Sequence, residues 1–230
     1  MRVDVLDHGY VRLVNSMGSE VDIANAARVS YDKEVIDLED KDKNLIKFLI
    51  KHRHDSTLRH NVMTFEVYAP LMVARQWWKH HIGSTHVEDQ NGWNESSRRY
   101  ITEEPVFYIP EWDEWRGKPE NNKQGSEGTV SKETGVIAST LMEKHIDKSM
   151  VLYYEAMTRG VAPEQARLFL PAYAMYVRWR WTASLNAILS FLSLRQGKTA
   201  QDEITQYANA VATFVEGQYP TVMEAWNERV

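Results

Sequence analysis

The sequence predicts an α+β fold: a mixed or antiparallel sheet flanked by helices, in a single domain over residues 1–230. Three observations carry that reading. Apolar and polar residues alternate near the start of the chain and again over Val62–Tyr68, the period of a half-buried strand. Helix-period patterns dominate from about residue 133 onwards. No internal repeat or obvious linker divides the chain, and 230 residues can bury a full core without staples.

The elements follow in order. Met1–Met17, with Val3, Val5, Tyr10, Val11, Leu13 and Val14, reads as a strand pair turned at Gly9. Asp22 is placed to cap a short helix, Ile23–Val29. Leu45, Phe48 and Leu49 form the stripe of a helix that ends before His54. Val62–Tyr68 is a strand, and Pro70 sits in the first turn of a helix running towards His80. Residues 82–98 read as loop, and the polar stretch 114–135 (with Gly117 to Gly125 inside it) as a mobile loop. Helices are expected at about 133–159 and 163–169, the second with Pro163 in its first turn. Tyr173–Trp181 is aromatic and β-like, and helices at about 182–194 and 199–216 precede a short closing one.

Composition narrows the function. The chain is 43% hydrophobic and 26% charged, ordinary for a soluble globular protein. No apolar run approaches the roughly 18 residues of a membrane span; the richest, Trp181–Leu194, is broken by Thr182, Ser184, Asn186, Ser190 and Ser193. Met1-Arg2-Val3-Asp4 offers no apolar signal region, so a cytoplasmic location is expected, the host's cytoplasm if the source is viral. Zero cysteines exclude disulfides, thiolate zinc sites and a cysteine nucleophile. A net charge of −5 argues against general nucleic-acid affinity, which needs a basic face.

In so acidic a chain, two concentrations of cations stand out. One is Arg75-Gln76-Trp77-Trp78-Lys79-His80-His81 with Arg98-Arg99 beyond it; the other is Arg167, Arg178, Arg180 and Arg195. Guanidinium forks match phosphate oxygens, although a solvated helix face would also be charged. Six of the eight histidines lie between His52 and His86, yet neighbours such as His80 and His81 point to different helix faces and make a poor ligand pair, so no metal is expected. Ser96 and Ser97 beside Glu95 lack the oriented base a serine nucleophile needs. Most of the eight tryptophans belong in a core, though a flat ring beside cations suits a planar anionic cofactor.

Taken together, these segments resemble the flavin-dependent thymidylate synthases. That family's signature has the form Arg-His-Arg-x-x-Ser, a short gap, then Ser-x-Arg-Tyr. Here stand Lys79-His80-His81-Ile82-Gly83-Ser84 and, after about eight extra residues around His86–Trp93, Asn94-Glu95-Ser96-Ser97-Arg98-Arg99-Tyr100. Arg75-Gln76-Trp77 matches the family's opening of this segment, and His54-Asp55-Ser56-Thr57-Leu58-Arg59-His60 its His-x-Ser/Thr-x-x-x-His stretch. Ala26–Tyr31, Ala166–Pro171, Leu192–Arg195 and Ala200–Ile204 match further blocks in the same order. Lys79 and His81 replace the two signature arginines, and serines stand at 184 and 190 where the family often has asparagine.

The resemblance implies reductive methylation of dUMP at C5, with FAD as cofactor and 5,10-methylenetetrahydrofolate and NADPH as cosubstrates. It also implies a homotetramer whose active sites are shared between subunits. The dUMP site would be drawn from Gln76, Trp77, Trp78, Lys79, Glu95, Ser96, Ser97, Arg98, Arg99, Arg167 and Arg195. Gln76, Glu95, Ser97, Arg99 and Arg167 would hold dUMP, its phosphate above all; Arg195 would face the pyrimidine, and Arg195 and Ser97 are the catalytic candidates. Ser56, Lys79, His80, His81, Glu95, Ser184, Asn186 and Ser190 would lie against FAD. The chemistry agrees: without a thiol to add at C6, the ring must be activated otherwise, and an arginine can stabilise charge developing on its oxygens.

Other readings remain at this point. A related flavin-dependent enzyme could methylate or hydroxymethylate UMP or dUMP. His54-Asp55 supplies the dipeptide of metal-dependent nucleotide phosphohydrolases, a reading that leaves Arg98, Arg99 and Arg195 without a role. A flavin- or nucleotide-binding module without turnover is the non-enzymatic alternative.

Overall fold

A computed structural model describes residues 1–80, 92–101, 103–120, 125–197 and 199–228. At its centre is an antiparallel sheet of strands β1 (Arg2–Val5), β2 (Gly9–Met17), β3 (Val62–Pro70), β4 (Gly92–Glu95) and β7 (Tyr176–Ser184), in the order β1-β2-β3-β7-β4. Strand alternation makes the sheet two-faced. Met63, Phe65, Val67 and Ala69 of β3, and Trp179, Trp181 and Ala183 of β7, point into the core, while Glu66, Arg178, Arg180 and Thr182 point outward. Around Phe65↔Trp181, the β3–β7 register pairs inward residues with inward ones.

Helices α3 (Leu71–Trp77), α6 (Leu185–Arg195) and α7 (Asp202–Gln218) supply the packing for the inner face. The α6 sequence is apolar nearly all round and is buried accordingly, through Leu185, Ala187, Ile188, Leu189, Phe191 and Leu192. Trp77 closes the core: its ring stacks on Phe191 at 4.4 Å and stands edge-on to Trp179 and Trp181 at 5.5 and 5.4 Å. Such aromatic pairs contribute about 0.5–1.5 kcal/mol each beyond their buried area. The remaining elements are α1 (Glu20–Arg28), α2 (Asp40–Lys51), the hairpin β5 (Arg116–Gly117) and β6 (Glu127–Thr129), α4 (Lys132–Thr158), α5 (Pro163–Ala166) and α8 (Pro220–Asn227).

The α+β class and most elements are as expected, with differences that have local causes. The first turn occupies Leu6–His8, and Gly9 opens β2 opposite Val5; a Cβ there would meet Tyr207 Oη at 1.8 Å, so glycine serves a close approach. Ser19, not Asp22, precedes α1, and its hydroxyl donates to the Asp22 carboxylate at 2.6 Å. Phe48 is half exposed because α2 buries Ile46, Leu49 and Ile50 instead. Residues 92–95, read as loop, form an edge strand, since β7 offers them a ladder. The polar stretch 114–135 contains the β5–β6 hairpin and the start of α4, where Gly135 lies so close to Trp112 that a Cβ would meet its carbonyl oxygen at 1.8 Å.

Candidate active site

One end of the sheet opens into a cavity of about 690 Å³. Four guanidiniums line it from four separate segments: Arg75 of α3, Arg98 of the loop after β4, Arg167 of a 3-10 turn (Arg167–Phe169) after α5, and Arg178 of β7. Glu95, Glu103 and Glu104 line it too. Among the described residues, however, none of Arg75, Arg98, Arg99, Arg167 or Arg178 comes within ion-pair distance of a carboxylate. Cations left unpaired around a cavity leave their donors for an incoming anion.

The signature loop is locked to the sheet. Ser96 N–H donates to the Arg178 carbonyl at 2.7 Å, and Arg178 N–H donates back to Ser96 Oγ at 2.9 Å, so the β4–β7 pairing runs on to the cavity wall. The Ser97 carbonyl accepts from Tyr100 N–H at 2.9 Å and Ile101 N–H at 3.2 Å, forming a tight turn. Ser97 Oγ accepts from Arg99 N–H at 3.3 Å and Arg99 Nε–H at 3.1 Å. Arg98 donates through Nη1 to the Glu103 carbonyl, while its buried Nε has no partner among the described residues. Arg167 donates Nε–H to the Glu164 carbonyl at 3.0 Å. Behind them Tyr176, a lining residue, donates to Asp7, and burial first, then that bond, holds its phenol protonated far above the ordinary range.

A second polar group lies where α3, α6 and α7 meet. Arg75 and Gln76 are consecutive on α3, so they face different ways: Arg75 lines the cavity, whereas the Gln76 amide donates to Gln201 beside α7. Arg195, the last residue of α6, is half-buried, and burial lowers its pKa from the usual guanidinium value. Its Nε–H donates to His80 Nε2 at 3.0 Å, and its carbonyl accepts from Thr205 Oγ1 at 2.8 Å.

The sequence-derived set therefore separates. Glu95, Ser96, Ser97, Arg98 and Arg167 share the cavity, with Arg99 exposed on the same turn. Gln76, His80 and Arg195 belong to the second group. Trp77, expected at the substrate, is fully buried among core aromatics because the phase of α3 turns it inward. Trp78 is half-exposed, and Lys79 Nζ lies 5.7 Å over its ring.

Of the residues expected at a cofactor, Ser184 is buried as the cap of α6, its Oγ accepting from Ala187 N–H at 3.3 Å. Asn186 and Ser190 on α6 are partly accessible, and exposed Ser56 lies on the 3-10 turn Asp55–His60 that packs against α6. Hydroxyl and amide groups such as these, and the exposed cation of Lys79, are donor types that suit a dinucleotide diphosphate. His81 lies outside the described residues. Sequence reasoning assigned no role to Arg75 and Arg178, visible only as members of cation clusters, and passed over Tyr68, Glu103 and Glu104. For Arg178 the strand alternation of residues 176–184 was the available signal; for Glu103 and Glu104 there was none.

Comparison with known proteins gives a consistent result. The family model described as "Thymidylate synthase complementing protein" matches residues 12–221. The chain is 39% identical to a flavin-dependent thymidylate synthase of Thermosipho africanus over 226 residues, 98% of this chain and 94% of the relative. It is 37% identical to one from Thermus thermophilus over 230 residues, covering 100% of this chain and 80% of the relative. Among solved structures, the UMP/dUMP methylase PolB from Streptomyces cacaoi, bound with 5-Br dUMP, is similar with a TM-score of 0.82 at 26% identity, covering 98% and 97% of the two chains.

Proposed function

The chain belongs to the thymidylate synthase complementing protein family, and from that premise we propose that it is a flavin-dependent thymidylate synthase acting at the cavity described above. It converts dUMP to dTMP, with FAD as cofactor and 5,10-methylenetetrahydrofolate and NADPH as cosubstrates. The observation that carries the reading is a set of arginines around one cavity, none of them ion-paired among the described residues, in a chain without cysteine.

Arg98, Arg167 and Ser97 take the nucleotide phosphate, with Arg99 beside them. Guanidinium forks suit phosphate oxygens, and a charge-assisted hydrogen bond is roughly twice as strong as a neutral one. Ser97 positions rather than attacks, because its oxygen already accepts two hydrogen bonds from Arg99 and no base adjoins it among the described residues. Arg195 meets charge as it develops on the pyrimidine oxygens, and so helps activate a ring to which no thiolate is present to add at C6. Ser56, Lys79, Asn186 and Ser190 hold the flavin dinucleotide, which when bound supplies the hydride chemistry.

The reading extends to the assembly: residues 1–230 act as one domain in a cytoplasmic homotetramer with shared sites. Support comes from α4, which leaves Val136, Ile137, Leu141, Val151 and Tyr154 exposed along one long helix. Among the described residues no helix is long and apolar enough to cross a membrane.

The test is tritium release from C5-labelled dUMP with methylenetetrahydrofolate and NADPH, run beside flavin fluorescence of the denatured protein. FAD uptake with tritium release is expected. One zinc or manganese per chain without flavin, and no release, would sink the reading.

A further inference from the structure

From the contact between α3 and α6 we infer that His80 is a positioning residue, which aims Arg195 at the substrate through a neutral imidazole. The inference rests on the reading above that Arg195 meets the pyrimidine.

His80 follows α3, with its N–H donating to the Trp77 carbonyl at 2.8 Å, and its side chain is nearly fully buried. Its ring stands edge-on to Phe191 at 5.1 Å. Phe191 precedes Arg195 by one helical turn, so both lie on one side of α6 and His80 spans them. A guanidinium Nε–H can only donate. At 3.0 Å from it, His80 Nε2 must therefore present a lone pair, which places the ring proton on Nδ1. The partner thus fixes both the charge and the tautomer of His80.

This choice of partner has a consequence. A carboxylate in the same place would hold Arg195 but also neutralise it; a neutral imidazole holds it and leaves the whole positive charge available. With Nε engaged and the backbone carbonyl tied to Thr205, the two terminal nitrogens of Arg195 make no hydrogen bond among the described residues. A long side chain is thereby pre-organised before the substrate arrives, and less rotamer freedom is lost on binding. Burial of Arg195 raises the worth of the contact, since hydrogen bonds strengthen away from water.

Two substitutions separate acceptor from bulk. His80→Gln can place an amide oxygen near the Nε2 position, whereas His80→Phe keeps the aromatic edge on Phe191 and has no acceptor. Each is loaded with FAD, its flavin content is measured by absorbance, and the dUMP dissociation constant is obtained by calorimetry, alone and combined with Arg195→Ala. We expect His80→Gln to bind dUMP within about threefold of the parent protein, and His80→Phe to weaken it about tenfold or more, the worth of a hydrogen bond to a charged group. In the Arg195→Ala background, His80→Phe should cost nothing further, because its effect passes through the missing side chain. Independent, multiplying effects of the two changes would overturn the inference, and so would a tenfold loss in folded, FAD-loaded His80→Gln. If His80→Phe does not fold, that His80→Gln measurement decides. A parent protein that takes up FAD but binds no dUMP would refute the proposed substrate instead.

Discussion

Arg195 and Ser97 come from separate motif blocks, and the roles proposed for them follow from their different surroundings. Arg195→Ala removes a guanidinium but leaves the backbone carbonyl that Thr205 holds, so the protein should stay folded while turnover falls about 10²–10³-fold, the usual cost of one charge-stabilising donor. Ser97→Ala removes one acceptor from a turn whose carbonyl bonds persist, and should weaken dUMP binding roughly fivefold without abolishing turnover. Steady-state kinetics of both variants, with melting curves alongside, decide the matter. A dead Ser97→Ala beside a nearly normal Arg195→Ala would reverse the roles. The motif Arg75-Gln76-Trp77 shows how much such blocks conceal: one residue lines the cavity, one faces Gln201, and one is core. Adjacency in sequence put them together, and the roughly 100° step of a helix takes them apart.

The strands β2, β3 and β7 carry charge across their outward face. Glu66 accepts from Arg12 at 3.0 Å and from Tyr10 Oη at 3.0 Å, with Arg180 at 3.7 Å. Burial pushes the Glu66 carboxyl up, but the hydrogen bonds from Arg12 and Tyr10 outweigh it and hold the group below the usual carboxylate range. A carboxyl whose folded pKa is depressed contributes stability that is fully present above its unfolded pKa and is lost as pH falls through the folded one. Glu66→Gln should therefore cost about 1–2 kcal/mol at neutral pH and progressively less at acid pH, as pH falls through the depressed folded pKa and the parent carboxyl takes up its proton. Urea titrations of both proteins at neutral and acid pH test this, and an equal deficit at both would show that the charge is not what matters. The alternation over Val62–Tyr68 puts Glu66 on the polar face of that strand; that Arg12 and Arg180 flank it depended on strand order.

The proposed assembly puts the long helix α4 at an interface. Over 27 residues it buries only Gly135, Ser149, Tyr153 and Ala156 against its own chain. Ile137 and Leu141 are one turn apart and 52% and 61% exposed. Apolar surface of this kind is the mark of an interface. Ile137→Glu and Leu141→Glu should dissociate the proposed tetramer in sedimentation velocity while circular dichroism stays unchanged. Turnover should fall with the assembly, as the proposed sharing of sites requires. An intact tetramer with full activity would assign α4 to some other contact.

The sequence alone determined the α+β class, the two central strands and most helices, because periods of 2 and 3.6 are local properties of a chain. It also determined the kind of chemistry, through blocks of arginine, serine and histidine in order and the absence of any thiol. Residues 92–95 carried no strand signal of their own, since their ladder exists only once β7 lies alongside. Likewise Arg75, Arg98, Arg167 and Arg178 are scattered through the chain and meet only where four elements converge. His80 and Arg195 stand 115 residues apart and share one hydrogen bond. Tertiary structure decided these encounters because register, helix phase and the packing of α3 on α6 set which side chains face each other, and none of the three is written in any short stretch of residues.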